Sequence, residues 1–249
     1  AYDQRDYATA RERYNEALGI MRELGIKVGT ASTLYMLGKL AQDQGDYGMA
    51  RTHYEESLGI EREIGNKRGV ADTLHQMGMS AQAQGDHSTA HKLYAESLTI
   101  NREQGDWGGV TRTLGELGRL AQDKRDYGEA RRLYDERLKI ARDLGDKGTI
   151  AASLFQRGSL AEDQRDYVVA QKLYKESLDI KQEMGSKRDT ALNLMQLGRL
   201  AEAVGRLSDA ADCARQALEI FTEMKSPDAA WARRLLERVT SSQPGKGKT

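Results

Sequence analysis

The chain has 249 residues, with 38 Lys and Arg balanced by 38 Asp and Glu, one cysteine and two prolines, Pro227 and Pro244. A formal charge of zero argues against a general polyanion binder, which needs surplus Lys and Arg to face phosphates, so no nucleic acid partner is expected. No apolar run nears the roughly 18 to 20 residues needed to cross a bilayer, and no membrane partner is expected. Residues 1 to 226 lack proline and are rich in Ala, Leu, Glu, Arg, Gln and Lys, which lose little rotamer freedom in helices. An all-α fold follows, with sheet-based classes disfavoured.

Residues 1 to 25 predict one helix, with Tyr7, Ala10, Tyr14, Leu18 and Ile20 on its apolar side. From residue 26 to 225 the chain repeats with a period of 40 and no insertion, giving five units. Leu34, Leu74, Leu114, Leu154 and Leu194 stand in register, followed four residues later by Gly38, Gly78, Gly118, Gly158 and Gly198. Within a unit, Leu74, Met77, Gly78 and Ala81 fall at i, i+3, i+4 and i+7, one stripe of a first helix. A second stripe follows, as in Tyr127, Ala130, Tyr134 and Leu138. Between the stripes, Gly45-Asp46, Gly85-Asp86 or Arg125-Asp126 predicts a tight turn ending in a capping aspartate. Gly65, Gly105, Gly145 and Gly185 stop the second helices, and Asn66, Asp106, Asp146 and Ser186 cap the next ones. Residues 226 to 240, opening on Ser226-Pro227, predict a final amphipathic helix with Trp231, Leu235, Leu236 and Val239 on one side, a closing element for the array. Residues 241 to 249 are expected as a disordered tail.

The unit resembles the tetratricopeptide repeat in its 40-residue variety, found in cytoplasmic adaptors and in sensor regions of bacterial signalling NTPases. Leu34, Leu37, Gly38, Ala41, Gly45, Tyr47, Ala50, Tyr54 and Ser57 carry the resemblance in one unit, and it extends over residues 1 to about 225. Three departures stand out: Arg157 in a column of Leu and Met, Arg125 and Arg165 in place of the turn glycine, and Ala214 in place of a tyrosine. The resemblance implies a right-handed superhelical solenoid of antiparallel helix hairpins, whose first helices line a concave groove for a peptide or partner protein. It implies no catalysis.

Chemistry finds little support in the residues. His87 and His91 are spaced i, i+4, yet no third ligand is evident, and His87 takes the place of a packing tyrosine, so no metal site is expected. Acid pairs such as Asp123 and Asp126 are explained by capping, and Cys213 lacks a histidine in its own unit. No catalytic residue, no cofactor and no enzyme activity are expected. A lone cysteine suits a reducing compartment, and with no signal-peptide pattern the expected location is cytoplasmic.

Candidate partner-binding residues are those of the first helices away from the Leu, Gly and Ala stripe. One level reads Tyr35, His75, Gly115, Phe155 and Met195, and the next Lys39, Met79, Arg119, Ser159 and Arg199. They vary while the stripe does not, as a ligand-reading surface would. Gln42, Gln82, Gln122, Glu162 and Glu202 are expected to form a polar rim. The lysine-and-asparagine carboxylate clamp of chaperone adaptors is not reproduced. At the start of the chain, Tyr7, Tyr14 and Leu18 are expected to form an uncovered apolar strip through which a homodimer could form. The expected function is a protein-interaction scaffold, the C-terminal sensor or partner-binding region of a larger protein, with a free-standing self-associating adaptor or an accessory region of an upstream enzyme as alternatives.

Overall fold

The computed structural model describes residues 4–241. Twelve α-helices and no strand occur among the described residues. They are α1 (Gln4–Glu23), α2 (Lys27–Asp43), α3 (Tyr47–Glu63), α4 (Lys67–Ala83), α5 (His87–Gln104), α6 (Trp107–Asp123), α7 (Tyr127–Asp143), α8 (Lys147–Asp163), α9 (Tyr167–Glu183), α10 (Lys187–Ala203), α11 (Leu207–Glu223) and α12 (Ala229–Ser241). Of the tail expected at residues 241 to 249, Ser241 instead closes α12 and the rest lies outside the described residues, as do the first three residues of the expected first helix.

Most turns are built as the sequence pattern requires; Ser186, expected to cap α10, makes no capping bond, because its hydroxyl donates to the Asp189 carboxylate at 3.0 Å instead. At the end of α2, Gly45 N–H donates to the Gln42 carbonyl and Asp46 N–H to that of Ala41, both at 2.9 Å, so two orphan carbonyls are satisfied. The Asp46 side chain then accepts from Met49 N–H at 3.0 Å and opens α3. Asp86, Asp126 and Asp166 do the same for α5, α7 and α9, each cap contributing about 1 kcal/mol. The geometry needs a left-handed residue, which Gly45 supplies at φ +78°. Arg125 and Arg165 adopt it at φ +61°, at a cost of about 1 kcal/mol each.

The helices form two compact units, divided between Leu120 and Ala121. In the first unit, α2 pairs with α3 and α4 with α5 as antiparallel hairpins. Ser57 Oγ donates to the Ala31 carbonyl at 2.9 Å, and further along Tyr54 Oη donates to Gln42 Oε1 at 3.0 Å. Ser97 with Ala71 and Tyr94 with Gln82 repeat both links. Apolar clusters alternate with these links: Leu18, Leu34 and Leu37, then Ala41, Ala50 and Tyr54, then Leu58, Val70 and Leu74.

In the second unit, α8 and α9 repeat the arrangement through Ser177 with the Ala151 carbonyl and Tyr174 with Glu162, both at 2.8 Å. The hairpin of α10 and α11 differs because Ala214 leaves no tyrosine ring over Gly198. Leu235 of α12 fills that place, its Cδ2 3.1 Å from where a Cβ on Gly198 would stand. Met195, Phe221, Leu235 and Val239 are all buried in one cluster there. α12 begins at Ala229, two residues past Pro227, after the Ser226 hydroxyl has accepted from Asp228 N–H at 3.2 Å.

Candidate partner-binding faces

A first helix has its Leu, Gly and Ala stripe spent on neighbours, so a partner can reach only the opposite side. In the first unit that side presents exposed Met36 and Lys39 on α2, and half-buried Asp72, Gln76 and Met79 on α4. Arg112 and Arg119 are exposed on α6, with Glu116 half-buried between them. In the second unit it presents half-buried Gln156 and Ser159 on α8, and Gln196 with exposed Arg199 on α10. Lys39, Arg119 and Arg199 are thus exposed, and Met79 is half-buried.

The level of Tyr35, His75, Phe155 and Met195 is different. His75 and Met195 are buried, which corrects the expectation of an open groove position at both. Tyr35 and Phe155 are half-buried. The cause is the second-helix tyrosine: the rings of Tyr35, His75 and Phe155 lean on Tyr54, Tyr94 and Tyr174 at centroid separations of 6.0, 5.4 and 5.1 Å. Met195 has no such ring to meet and sinks into the cluster of Phe221 and Leu235. This level lines the helix interface and offers at most a ring edge to a partner.

The expected polar rim is also reassigned. Gln42, Gln82, Gln122 and Glu162 accept the hydroxyls of Tyr54, Tyr94, Tyr134 and Tyr174 at 2.8–3.0 Å. They satisfy buried phenols, whose burial holds Tyr54, Tyr94 and Tyr174 well above the ordinary tyrosine range. Glu202 accepts from Arg238 Nε and Nη2 on its two oxygens, which lowers its pKa.

Charges on the accessible face of the first unit are mostly paired. Arg112 pairs with Asp72 and Arg119 with Glu116. Burial and the Asp72 charge raise the pKa of the Tyr35 hydroxyl. His75 Nδ1 lies 3.2 Å from Thr113 Oγ1, and burial together with the Arg112 charge lowers its pKa to about 4. It is a neutral interior imidazole. In the second unit, Lys181 Nζ stands 4.9 Å above the Phe155 ring, a cation–π contact, and its burial lowers its pKa. Gln196 Nε2 donates to Glu162 at 2.8 Å.

Asp72, Gln76, Arg112, Glu116 and Gln196 were not singled out from sequence. For Gln76, Glu116 and Gln196 the signal was one register column away, where Met36, Gln76, Glu116, Gln156 and Gln196 repeat at 40-residue intervals without the Leu or Gly constancy of the stripe; Asp72 and Arg112 stand three positions before His75 and Gly115.

The expected association strip is largely covered. Leu18 is buried against Leu34 and Leu37 of α2, with Tyr14 at the margin of the same cluster, and Tyr7 is half-buried. The apolar side chains left exposed nearby are Ile20, Leu24, Ile26 and Val28. His87 is half-buried and His91 exposed, and among the described residues no group of three His, Cys, Asp or Glu side chains is placed to hold a metal ion. Burial and the nearby Asp209 and Asp212 raise the Cys213 thiol, the wrong direction for a nucleophile. No described helix is long and apolar enough to cross a membrane.

Among curated proteins, none matches the chain by sequence. Solved structures do match in shape. BtubC (BKLC) from P. vanneervenii superposes with a TM-score of 0.74 at 19% identity, over 99% of this chain and 95% of that one. The signal transduction ATPase with a tetratricopeptide repeat sensor from Pyrococcus horikoshii superposes with a TM-score of 0.75 at 16% identity, over 86% of this chain but only 34% of the ATPase. The Rap conjugation gene regulator of plasmid pLS20, solved with the Phr peptide, gives 0.70 at 14% identity, over 88% of this chain and 60% of that one. At these identities the likeness establishes the fold alone. The sequence itself matches the tetratricopeptide repeat model at residues 1–63, 29–103, 69–143 and 149–223. The chain belongs to the tetratricopeptide repeat family.

Proposed function

We propose that this chain is a protein-interaction scaffold, in which the accessible first-helix faces dock a peptide or a partner protein. The observation that carries this is the contrast along each first helix: an unvarying stripe spent on the core, and opposite it a varied set including Lys39, Gln76, Met79, Glu116, Arg119, Gln156 and Arg199, held on hairpins of fixed geometry. Rigid presentation lowers the entropy lost on binding. Support comes from the pLS20 regulator, a protein of this fold solved with a peptide, and from the Pyrococcus ATPase, where the repeats form a sensor. A sensor region of a larger protein is the role proposed here. Photo-crosslinkers at Lys39, Met79 and Arg119 should capture a selected peptide, whereas crosslinkers at Arg51, Lys92 and Lys172 on second helices should not. Equal capture from both sets would place the partner elsewhere.

A second reading, self-association, is favoured by Ile20, Leu24, Ile26 and Val28, which are close in sequence and all exposed, Leu24 at 66% and Val28 at 62%. Light scattering over a concentration series should then show a dimer that Leu24→Glu with Val28→Glu dissolves. A species of constant monomer mass would end this reading.

A further inference from the structure

The five units carry leucine in one column of the first helix, at Leu40, Leu120, Leu160 and Leu200, but serine at Ser80. Leu120, Leu160 and Leu200 are buried in their interfaces, and Ser80 is as deeply buried, at 3% exposure. Its shorter side chain changes the space around it. Between α3, α4 and α5 lies a cleft of about 440 Å³, walled by Tyr47, Tyr54, Met77, Ser80 and Leu93. The matching cleft one repeat earlier, where Leu40 and Met49 take the places of Ser80 and Thr89, measures about 190 Å³. The larger value lies within the range of roughly 300 to 1,000 Å³ typical of small-molecule sites, and the smaller lies below it.

A second observation concerns the serine hydroxyl. A helical serine ordinarily bonds the carbonyl four residues back, as Ser153 does with Thr149 at 2.7 Å. Ser80 Oγ is buried with no hydrogen-bond partner among the described residues. A buried hydroxyl left this way carries a desolvation cost, and turning the Ser80 side chain to a rotamer that faces the cleft lets a ligand group remove it.

We infer that this cleft is a binding site for a small neutral molecule of the phenol type, its ring between Met77, Leu93 and the tyrosines and its hydroxyl paired with Ser80. Neutrality follows from the two charged residues that border the cleft, since both are already engaged. Arg51 pairs with Glu55 at 2.7 Å, and the Asp86 carboxylate accepts from Thr89 N–H at 3.0 Å. The aromatic preference follows from the thioether and ring edges that form the walls. None of the accessible first-helix side chains lines this cleft, so the inference stands apart from the docking of a peptide or protein.

The test uses p-cresol and toluene, which differ by one hydroxyl, titrated into the full chain while amide shifts of α3, α4 and α5 are followed by NMR. p-Cresol should bind the native chain about fivefold to tenfold more tightly than toluene, the worth of one hydrogen bond. Ser80→Ala keeps the cleft and should erase that preference. Ser80→Leu, the residue of the sister units, should remove binding of both compounds and leave the fold intact. Absence of saturable shifts at the cleft in the native chain, equal affinity for the two compounds, a preference that survives Ser80→Ala, or undiminished binding in Ser80→Leu would each overturn the inference.

Discussion

Gly78 of α4 lies against the ring of Tyr94 of α5 so closely that a methyl group on Gly78 would stand 2.6 Å from Tyr94 Cε1. Gly38 with Tyr54 and Gly158 with Tyr174 repeat the contact at 2.5 and 2.7 Å. The ring cannot retreat, because its hydroxyl is tied to Gln82 at 3.0 Å and the whole side chain is buried. Helix propensity alone would favour alanine by about 1 kcal/mol, so packing decides this column.

Gly78→Ala should therefore destabilise the first unit by about 1 to 3 kcal/mol despite its better helix propensity. Urea denaturation measures this. Combining Gly78→Ala with Tyr94→Leu should cost less than the sum of the two single changes, since the smaller side chain leaves room for the methyl group. A midpoint unchanged by Gly78→Ala would show that the hairpin opens freely at this contact.

Acid should loosen the same unit through His75. Its folded pKa of about 4 lies below the ordinary value of 6.5, because burial and Arg112 both oppose the imidazolium. The unfolded chain then binds more protons between those two values, so the stabilising contribution is complete above about pH 6.5 and is lost as pH falls toward 4, on the order of 3 kcal/mol in all. His75→Phe, which matches Phe155 in the register, should flatten that part of the pH–stability curve. An identical curve for the variant would assign the acid response to other groups.

The period of 40 made the hairpins, the turns and even the left-handed Arg125 legible, because each depends on local geometry repeated in register. The accessible face was legible less well, for a specific reason. Successive residues on a helix are separated by about 100°, so reading the groove at Tyr35 instead of Met36 turns the inferred face by that angle, toward the second-helix tyrosines. Met195 shows the effect at its largest, being buried where an open position was expected. The pairing of Gln42 with Tyr54 spans the turn between two helices, and the spacing of 12 residues does not reveal it until the hairpin is closed.

Arg157 sits where Leu37, Leu117 and Leu197 stand in other units, and it reaches Asp135 with Nε at 3.0 Å. The pair is only partly buried, with 28% and 46% of the two side chains exposed. Screening by solvent limits such a pair to about 0 to 1 kcal/mol, and the Arg stem already covers apolar surface. Arg157→Leu should thus be neutral or stabilising in thermal unfolding, and Asp135→Asn should cost less than about 1 kcal/mol. A loss above about 2 kcal/mol in Arg157→Leu would mean that the guanidinium has partners whose bonds the protein cannot replace with water.

α12 completes the second unit by supplying the apolar bulk that α11 lacks. The tyrosine found over Gly38, Gly78 and Gly158 is absent from α11, and Leu235 occupies the corresponding space over Gly198, with Val239 and Phe221 beside it. Arg238 adds its paired Nε and Nη2 bonds to Glu202 at the helix surface. Leu235→Ala should cost about 2 to 5 kcal/mol, the range for a large side chain removed from a filled interior. Deleting residues 226 to 249 should be more severe, because it uncovers Met195 and Phe221 together. Hydrogen exchange on the full chain and on both variants separates local from global effects: α10 and α11 should lose protection first, while α2 to α5 in the first unit keep theirs, as expected when stability is set by nearest neighbours. Undiminished protection of α10 and α11 after the deletion would show that the hairpin closes its own core and that Leu235 fills a space it does not need filled.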